Sequence, residues 1–168
     1  KNNLEAMIIA LKGVNTFAHR TAEHCRELAK QTDDPERKAE LEQMAEINDW
    51  VPANPPRTFW EALQHIMTLG SMWGREEGGH SGIPWERFDV SFLPYWEKSK
   101  AEGMTYEEGV ELLKWYLLKH SESGSIQSPM VAQAYGGQQR GALIFMGGVD
   151  KDGNDITNDL SYMLMDAF

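Results

Sequence analysis

Apolar residues recur at helical spacing along most of this 168-residue chain, which predicts a mainly helical protein. The first such segment runs from Leu4 to Leu28 and places its apolar residues on one broad face. The sequence Asp33-Asp34-Pro35 then indicates a new helix start, because proline is favoured in the first helical turn. We expect this second helix to lie antiparallel to the first.

Two later segments begin with a capping-box pattern, in which a threonine precedes a glutamate by three positions. The first, Thr58 to Glu61, follows a proline-rich stretch that cannot be helical. This helix carries His65, which we interpret as a packed or surface residue and not as a ligand. The second pattern, Thr105 to Glu108, predicts a helix that continues toward His120.

Between these two helix starts lies the segment GGHSGIPWERFD, which spans residues 78–89. Glycines at positions 70, 74, 78 and 79 predict that the third helix breaks before it, and Gly82 and Pro84 oppose a new helix. Polar loop residues are common in functional sites, and they are also common simply because water covers loops. The pattern alone leaves both readings open. The aromatic segment that follows Asp89 indicates a buried turn or a short helix.

The C-terminal third of the sequence predicts one strand and one more helix. The apolar run from Ala142 to Met146 is bounded by glycines and fits a strand buried on both faces. The acidic stretch 150–155 lacks the glycine and glutamate positions of an EF-hand, so we interpret it as a turn at Gly153. A helix capped by Thr157 or Asn158 should follow it. Its apolar face runs to the last residue, which suggests a piece of a larger protein.

Composition narrows the classes of partner. The formal net charge of −10 opposes binding to nucleic acid and to anionic membranes. Neither a membrane span nor a signal peptide is evident in the sequence, so we expect a cytoplasmic protein. The single cysteine, Cys25, lies in the apolar stripe of the first helix and is interpreted as a small buried hydrophobe. Phosphate-loop, HExxH, paired-cysteine and GxSxG motifs are all missing from the sequence.

Several blocks, read in order, resemble the large N-terminal domain of glycyl radical enzymes. They are FAHRTAEHCRELA, DPERKAELEQMAEI, VPANPPRTFWEALQ, GHS followed by RFD and LPYWEK, MTYEEGVELL, and MGGVDKDGNDITNDLSYMLMDA. The resemblance covers residues 1–168 and is greatest to the branch of glycerol dehydratase, choline trimethylamine-lyase and the arylacetate decarboxylases. It implies that the chain is a mainly α fragment of a ten-stranded α/β barrel, part of a pyruvate formate-lyase-like domain.

The resemblance also implies a chemistry. In this family a glycyl radical oxidises a cysteine, and the thiyl radical abstracts hydrogen from a small polar substrate whose C–O, C–N or C–C bond is then cleaved. The catalytic-cysteine loop and the radical glycine are expected after Phe168, so the fragment alone should be inactive and hold no bound cofactor. A radical S-adenosylmethionine activating enzyme would install the radical in the parent, which is expected to be a homodimer.

Within the loop, the resemblance implies that His80 and Ser81 hydrogen-bond the substrate. Arg87 and Asp89 are expected to form an internal ion pair that supports the loop. The spacing between Ser81 and Arg87 is one residue longer than the family's usual spacing. Two alternatives stay open: a pyruvate formate-lyase-like acyltransferase, which needs two adjacent cysteines elsewhere in the protein, and a non-catalytic helical interaction domain.

Overall fold

The computed structural model describes residues 2–76, 87–122, 129–130, 133 and 144–168. Its principal elements are six helices in the order α1 (Asn2–Gln31), α2 (Pro35–Trp50), α3 (Phe59–Glu76), α4 (Phe88–Ala101), α5 (Tyr106–Glu122) and α6 (Asp159–Ala167). The prediction of a mainly helical chain is therefore confirmed. In the described residues no helix is long and apolar enough to cross a membrane.

Helices α1 and α2 form an antiparallel hairpin. Asp34 caps α2 because its carboxylate accepts the backbone N–H of Glu36 at 3.0 Å. Small residues of α1 pack against α2 in a core made of Ala22, Cys25, Ala29, Leu41 and Ala45. The N-terminal half of the apolar face of α1 has no such cover, and its exposed residues are Leu4, Met7, Ile8 and Leu11. Only the second half of the predicted face is buried.

Helices α3 to α6 enclose the larger core. Its largest fully buried side chains are Phe59, Phe88 and Trp96, together with three leucines and one methionine of α5 and α6. The rings of Phe59 and Trp96 meet edge to face at 5.7 Å, which joins the start of α3 to the middle of α4. Helix α5 can approach α4 and α6 closely because position 109 is a glycine.

The capping predictions for α5 and α6 are confirmed. Thr105 Oγ1 accepts the N–H of Glu108 at 3.2 Å, and the Glu108 carboxylate accepts the N–H of Thr105 at 2.8 Å. Asn158 caps α6 in a capping box with Ser161. Before it, the Asp150 carboxylate accepts backbone N–H groups of the turn, where Gly153 has a φ of +85°.

Three predictions about secondary structure were wrong. Helix α3 continues through Gly70 and Gly74, because isolated glycines weaken a helix that packing supports without ending it. The segment after Asp89 is a 14-residue helix, α4, instead of a turn or a short helix. The described part of the predicted strand, Ile144–Met146, contains no strand residues beyond a bridge position, and Phe145 and Met146 are exposed.

Candidate functional site

The segment predicted to be a loop, residues 78–89, ends in the first turn of α4. His80 and Ser81 lie outside the described residues, so their assignment as substrate contacts stays a prediction. The first described residue of this segment is Arg87, and Phe88 begins α4. The contacts of residues 87–89 therefore show how the chain enters α4.

Asp89 is completely buried in the first turn of α4. Its Oδ2 accepts the backbone N–H of Gly147 at 2.6 Å and the hydroxyl of Ser161 at 2.5 Å. Its Oδ1 accepts the N–H of Val90 at 2.9 Å. Hydrogen bonds to a carboxylate are shorter and stronger than neutral ones, so this single side chain joins three separate parts of the chain.

The expected ion pair between Arg87 and Asp89 does not form, and that prediction was wrong. Arg87 is exposed and makes no ion pair with any described residue, whereas the buried Asp89 receives neutral N–H and O–H donors. Arg87 instead has a left-handed backbone with a φ of 57°, and its carbonyl accepts the N–H of Ser91 at 2.9 Å. Its backbone thus takes part in starting α4 while its guanidinium group stays exposed.

Two residues of this network escaped the sequence analysis. Ser161 Oγ accepts the N–H of Asn158 at 3.1 Å while it donates to Asp89, so one hydroxyl serves both the α6 cap and the buried carboxylate. Gly147 contributes only its backbone N–H. A serine three positions after Asn158 could have indicated the cap. No local pattern could have indicated the partner in α4.

A backbone hydrogen bond extends the same arrangement. The N–H of Phe88 donates to the carbonyl of Phe145 at 3.3 Å. This bond joins the same two segments of the chain as the contact between Asp89 and Gly147. Asn158 Nδ2 also reaches the carbonyl of Asp89 at 3.4 Å. We define the contact set of Phe88, Asp89, Gly147, Asn158 and Ser161 as the Asp89 clamp.

Cys25 is buried in the α1–α2 hairpin, as predicted. Burial raises the pKa of its thiol, although nearby Arg37 and Arg26 act in the opposite direction. A thiol of this kind packs as a small apolar group. Its distance from His80 stays untested because His80 is outside the described residues.

The remaining polar clusters favour structural roles. Asp49 accepts hydrogen bonds from Arg26 and from His19 Nδ1, the latter at 3.1 Å, and the contact with Arg26 holds the pKa of that carboxyl below its usual range. These side chains are partly exposed and join α1 to α2. Burial lowers the pKa of His65. The described residues contain no group of three or more side chains suited to hold a metal ion.

A groove of about 590 Å³ lies between α2, α3 and α5. Its lining is mostly apolar and aromatic and includes Met44, Trp60, Leu63, Met67, Trp115 and Tyr116. The buried hydroxyl of Tyr116 has no hydrogen-bond partner in the described part of the chain. The groove is separate from the Asp89 clamp, because none of the clamp residues lines it.

Comparison with known proteins gives the class to which this fold belongs. Over 98% of its length the chain superposes on a glycerol-bound structure of the B12-independent glycerol dehydratase from Clostridium butyricum, with a TM-score of 0.88 and 28% identity, and it covers 20% of that chain. It is 35% identical over 164 residues to isethionate sulfite-lyase from Nitratidesulfovibrio vulgaris, covering 96% of this chain and 20% of that protein. It is 32% identical to (2S)-3-sulfopropanediol dehydratase from Klebsiella oxytoca, with the same two coverages.

A further match is the crystal structure of a glycyl radical enzyme from Archaeoglobus fulgidus, with a TM-score of 0.82 and 30% identity, covering 93% of this chain and 20% of that chain. The pyruvate formate lyase-like family matches residues 1–168, and the chain belongs to that family. The chain spans about a fifth of the length of the curated relatives it matches. The predicted resemblance is therefore confirmed for the family.

Proposed function

We propose that this chain acts as part of a glycyl radical lyase or dehydratase that cleaves a C–O, C–N or C–C bond of a small polar substrate. The observation that carries the proposal is the match along nearly the whole chain to relatives named as a sulfite-lyase, a dehydratase and decarboxylases. The chain would contribute helices to an α/β barrel of ten strands.

The residues of this chain would bind the substrate and would not transfer the radical. Its one cysteine, Cys25, does not stand in a Gly-Cys-x-Glu sequence and is buried in a helix hairpin. The radical glycine and the cysteine that it oxidises would supply hydrogen abstraction from other parts of the protein. The 168-residue chain by itself is accordingly expected to be inactive.

His80 and Ser81 are the proposed substrate contacts. An imidazole and a hydroxyl can each hydrogen-bond a hydroxyl, carboxylate or sulfonate of a substrate. Buried polar groups that match one substrate reject an analogue that leaves them unpaired, and this gives selectivity. The relatives' names include both neutral and sulfonated substrates, so the test must include substrates of both classes.

Two partners follow from the proposal. A radical S-adenosylmethionine activating enzyme would install the glycyl radical, and the whole protein would act as a homodimer. The chain itself is expected to hold no bound cofactor. The negative net charge of −10 agrees with a small-molecule substrate and disfavours nucleic acid.

The test uses the full-length protein activated anaerobically by its activating enzyme. The radical is measured by electron paramagnetic resonance, and consumption of glycerol, 1,2-propanediol, isethionate, sulfopropanediol and arylacetates is measured by mass spectrometry. We expect a glycyl radical signal and turnover of one substrate class. Absence of the radical signal under conditions that activate a known relative would refute the enzyme proposal.

The assignment of Ser81 is tested with a matched serine. Ser81→Ala should reduce kcat/KM for the substrate found by about tenfold. This estimate combines the loss of one hydrogen bond of about 1 kcal/mol with the cost of leaving the substrate group that it bound without a full set of partners. Ser91→Ala removes an exposed hydroxyl of α4 and should leave kcat/KM unchanged. Equal kinetics of the two variants, with normal radical content, would refute the assignment.

A further inference from the structure

We infer that the N-terminal half of α1, residues 4–15, pairs antiparallel with the same residues of a second copy of this protein. The second copy would continue the helix pair that α2 forms with the other half of α1. The inference deepens the proposed function by naming a surface for the homodimer, and it rests on that homodimer and not on the radical chemistry.

The residues of α1 that face α2 follow a seven-residue repeat. The buried residues of this helix, spaced alternately by four and three positions, are Ala18, Ala22, Cys25 and Ala29. This is the spacing of the core positions of a coiled coil. Continued toward the N-terminus with the same spacing, the repeat reaches Asn15, Leu11, Ile8 and Leu4. One continuous seam of core positions therefore runs along nearly the whole of α1.

Only the second half of this seam is covered. Leu4, Ile8 and Leu11 are 65%, 52% and 57% exposed, whereas the four core residues that face α2 are buried. The open half carries larger side chains than the covered half, so its burial would remove more apolar area from water for each core position. Residues 2–15 form about 20 Å of helix. The open seam thus has the length and chemistry to bind a second amphipathic helix of similar size.

The position of α2 shows where such a helix would lie. Helix α2 runs antiparallel to α1, and Asp49, near its end, accepts a hydrogen bond from His19 Nδ1 at 3.1 Å. The end of α2 therefore lies beside the middle of α1, where the open half of the seam begins. Residues 4–15 of a second copy have the same length as the open half. Two identical helices paired in opposite directions are related by a twofold axis, so each copy covers the seam of the other.

The charges beside the seam favour one direction and one register. Glu5 and Lys12 each follow a leucine of the seam directly, so both flank it on the same side. In an antiparallel pair that places Ile8 beside Leu11 of the second copy, Glu5 lies opposite Lys12 of the second copy, and the ion pair forms twice. A shift by one heptad in either direction would set Glu5 against Glu5 or Lys12 against Lys12. In a parallel pair Lys12 would lie opposite Met7, and no ion pair would form between the two seams.

Two neighbouring isoleucines supply a matched pair of variants. Ile8 is a core position of the seam, whereas Ile9 lies one position outside it and is 70% exposed. Ile8→Gln and Ile9→Gln make the same chemical change in the same turn of α1, so any effect of glutamine on the helix itself is common to both. Both side chains are exposed in a single copy, so neither variant should prevent folding.

The experiment measures the mass of the full-length protein by sedimentation velocity over a range of protein concentrations, together with its melting temperature. We expect Ile8→Gln to raise the dissociation constant of the dimer about a hundredfold or more, because two buried isoleucines are lost from each dimer and each contributes about tenfold or more. Ile9→Gln should stay within about twofold of wild type. Equal dissociation constants of the two variants would overturn the inference. A lower melting temperature of Ile8→Gln at unchanged mass would also overturn it, because the seam would then be covered by another segment of the same polypeptide.

A charge exchange tests the direction of pairing. Glu5→Lys and Lys12→Glu should each raise the dissociation constant by about fivefold, because two exposed ion pairs are lost from each dimer. The protein that carries both substitutions restores both pairs and should return to within about twofold of wild type. Additive weakening in the double variant would overturn the antiparallel arrangement.

The same measurements separate this inference from the proposed function. A wild-type protein that is monomeric at every concentration would overturn both the homodimer and the inference, while the radical signal and turnover would still test the chemistry. A wild-type dimer whose dissociation constant is unaffected by substitutions at positions 5, 8 and 12 would overturn the inference alone.

Discussion

Replacement of Gly109 by alanine tests whether α5 packs as closely as the structure shows. A Cβ atom built at Gly109 would lie 2.6 Å from Cζ3 of Trp96 and closer still to Cε of Met163. The methionine tip can move, but the Trp96 ring is buried and held edge to face against Phe59. Relief of the contact therefore requires a shift of α5 itself.

The magnitude follows from two opposing terms. Alanine is favoured over glycine inside a helix by about 1 kcal/mol. Overpacking a well-packed core costs about 1–3 kcal/mol. Gly13 supplies the matched control, because it lies in α1 and nothing approaches a Cβ built there within 4 Å. The difference between Gly13→Ala and Gly109→Ala cancels the helix preference and leaves the overpacking cost, about 1–3 kcal/mol.

The assay is urea unfolding followed by circular dichroism, with wild type and both variants measured side by side. We expect Gly13→Ala to raise the free energy of unfolding and Gly109→Ala to fall below Gly13→Ala by the amount given above. The m-values should be equal, so that the change in midpoint reports stability. If the two variants are stabilised equally, α5 does not approach Trp96 in the way described, and the reasoning is refuted.

Two further outcomes are expected. Burial raises the pKa of the Glu61 carboxyl, but hydrogen bonds from Arg57 outweigh this effect and hold the pKa below the ordinary 4.5. The contribution of ionised Glu61 to the free energy of unfolding is therefore complete above pH 4.5. It declines as the pH falls through the lower pKa of the folded state. The stability difference between wild type and Glu61→Gln, measured by urea unfolding, should shrink with acidification, and a constant difference would contradict this. Tyr116→Phe should leave the melting temperature equal or raise it, because it removes a buried hydroxyl that has no hydrogen-bond partner among the described residues. Tyr106→Phe removes a 2.7 Å hydrogen bond to the carboxylate of Asp166 and should lower the melting temperature slightly. The reverse order of the two melting temperatures would contradict these hydrogen-bond assignments.

The predictions that succeeded depend on residues close together in the sequence. The helix starts after Asp34, Thr58, Thr105 and Asn158 were predictable because each cap is made within about one turn of the chain. The turn at Gly153 belongs to the same class, since its hydrogen bonds run to Asp150 nearby. The family resemblance likewise depended on short blocks in a fixed order, and the family match confirmed it.

The errors concern contacts between distant residues. Arg87 and Asp89 are near neighbours with opposite charges, and sequence proximity suggested an ion pair. The fold instead brings the N–H of Gly147 and the hydroxyl of Ser161 to Asp89. These donors stabilise a buried carboxylate without the desolvation cost of a buried cation, which explains why the guanidinium group of Arg87 stays exposed.

What the sequence determined by itself is therefore the starts of α2, α3, α5 and α6 and the family, because capping, turn chemistry and apolar periodicity act over a few residues. Only the tertiary structure decided which faces are buried. Cys25 and Leu4 belong to the same periodic face of α1, yet Cys25 is buried against α2 and Leu4 is exposed, because the hairpin partner covers only the second half of α1. Periodicity indicates that a face is apolar, and the length of the neighbouring helix determines how much of that face is buried.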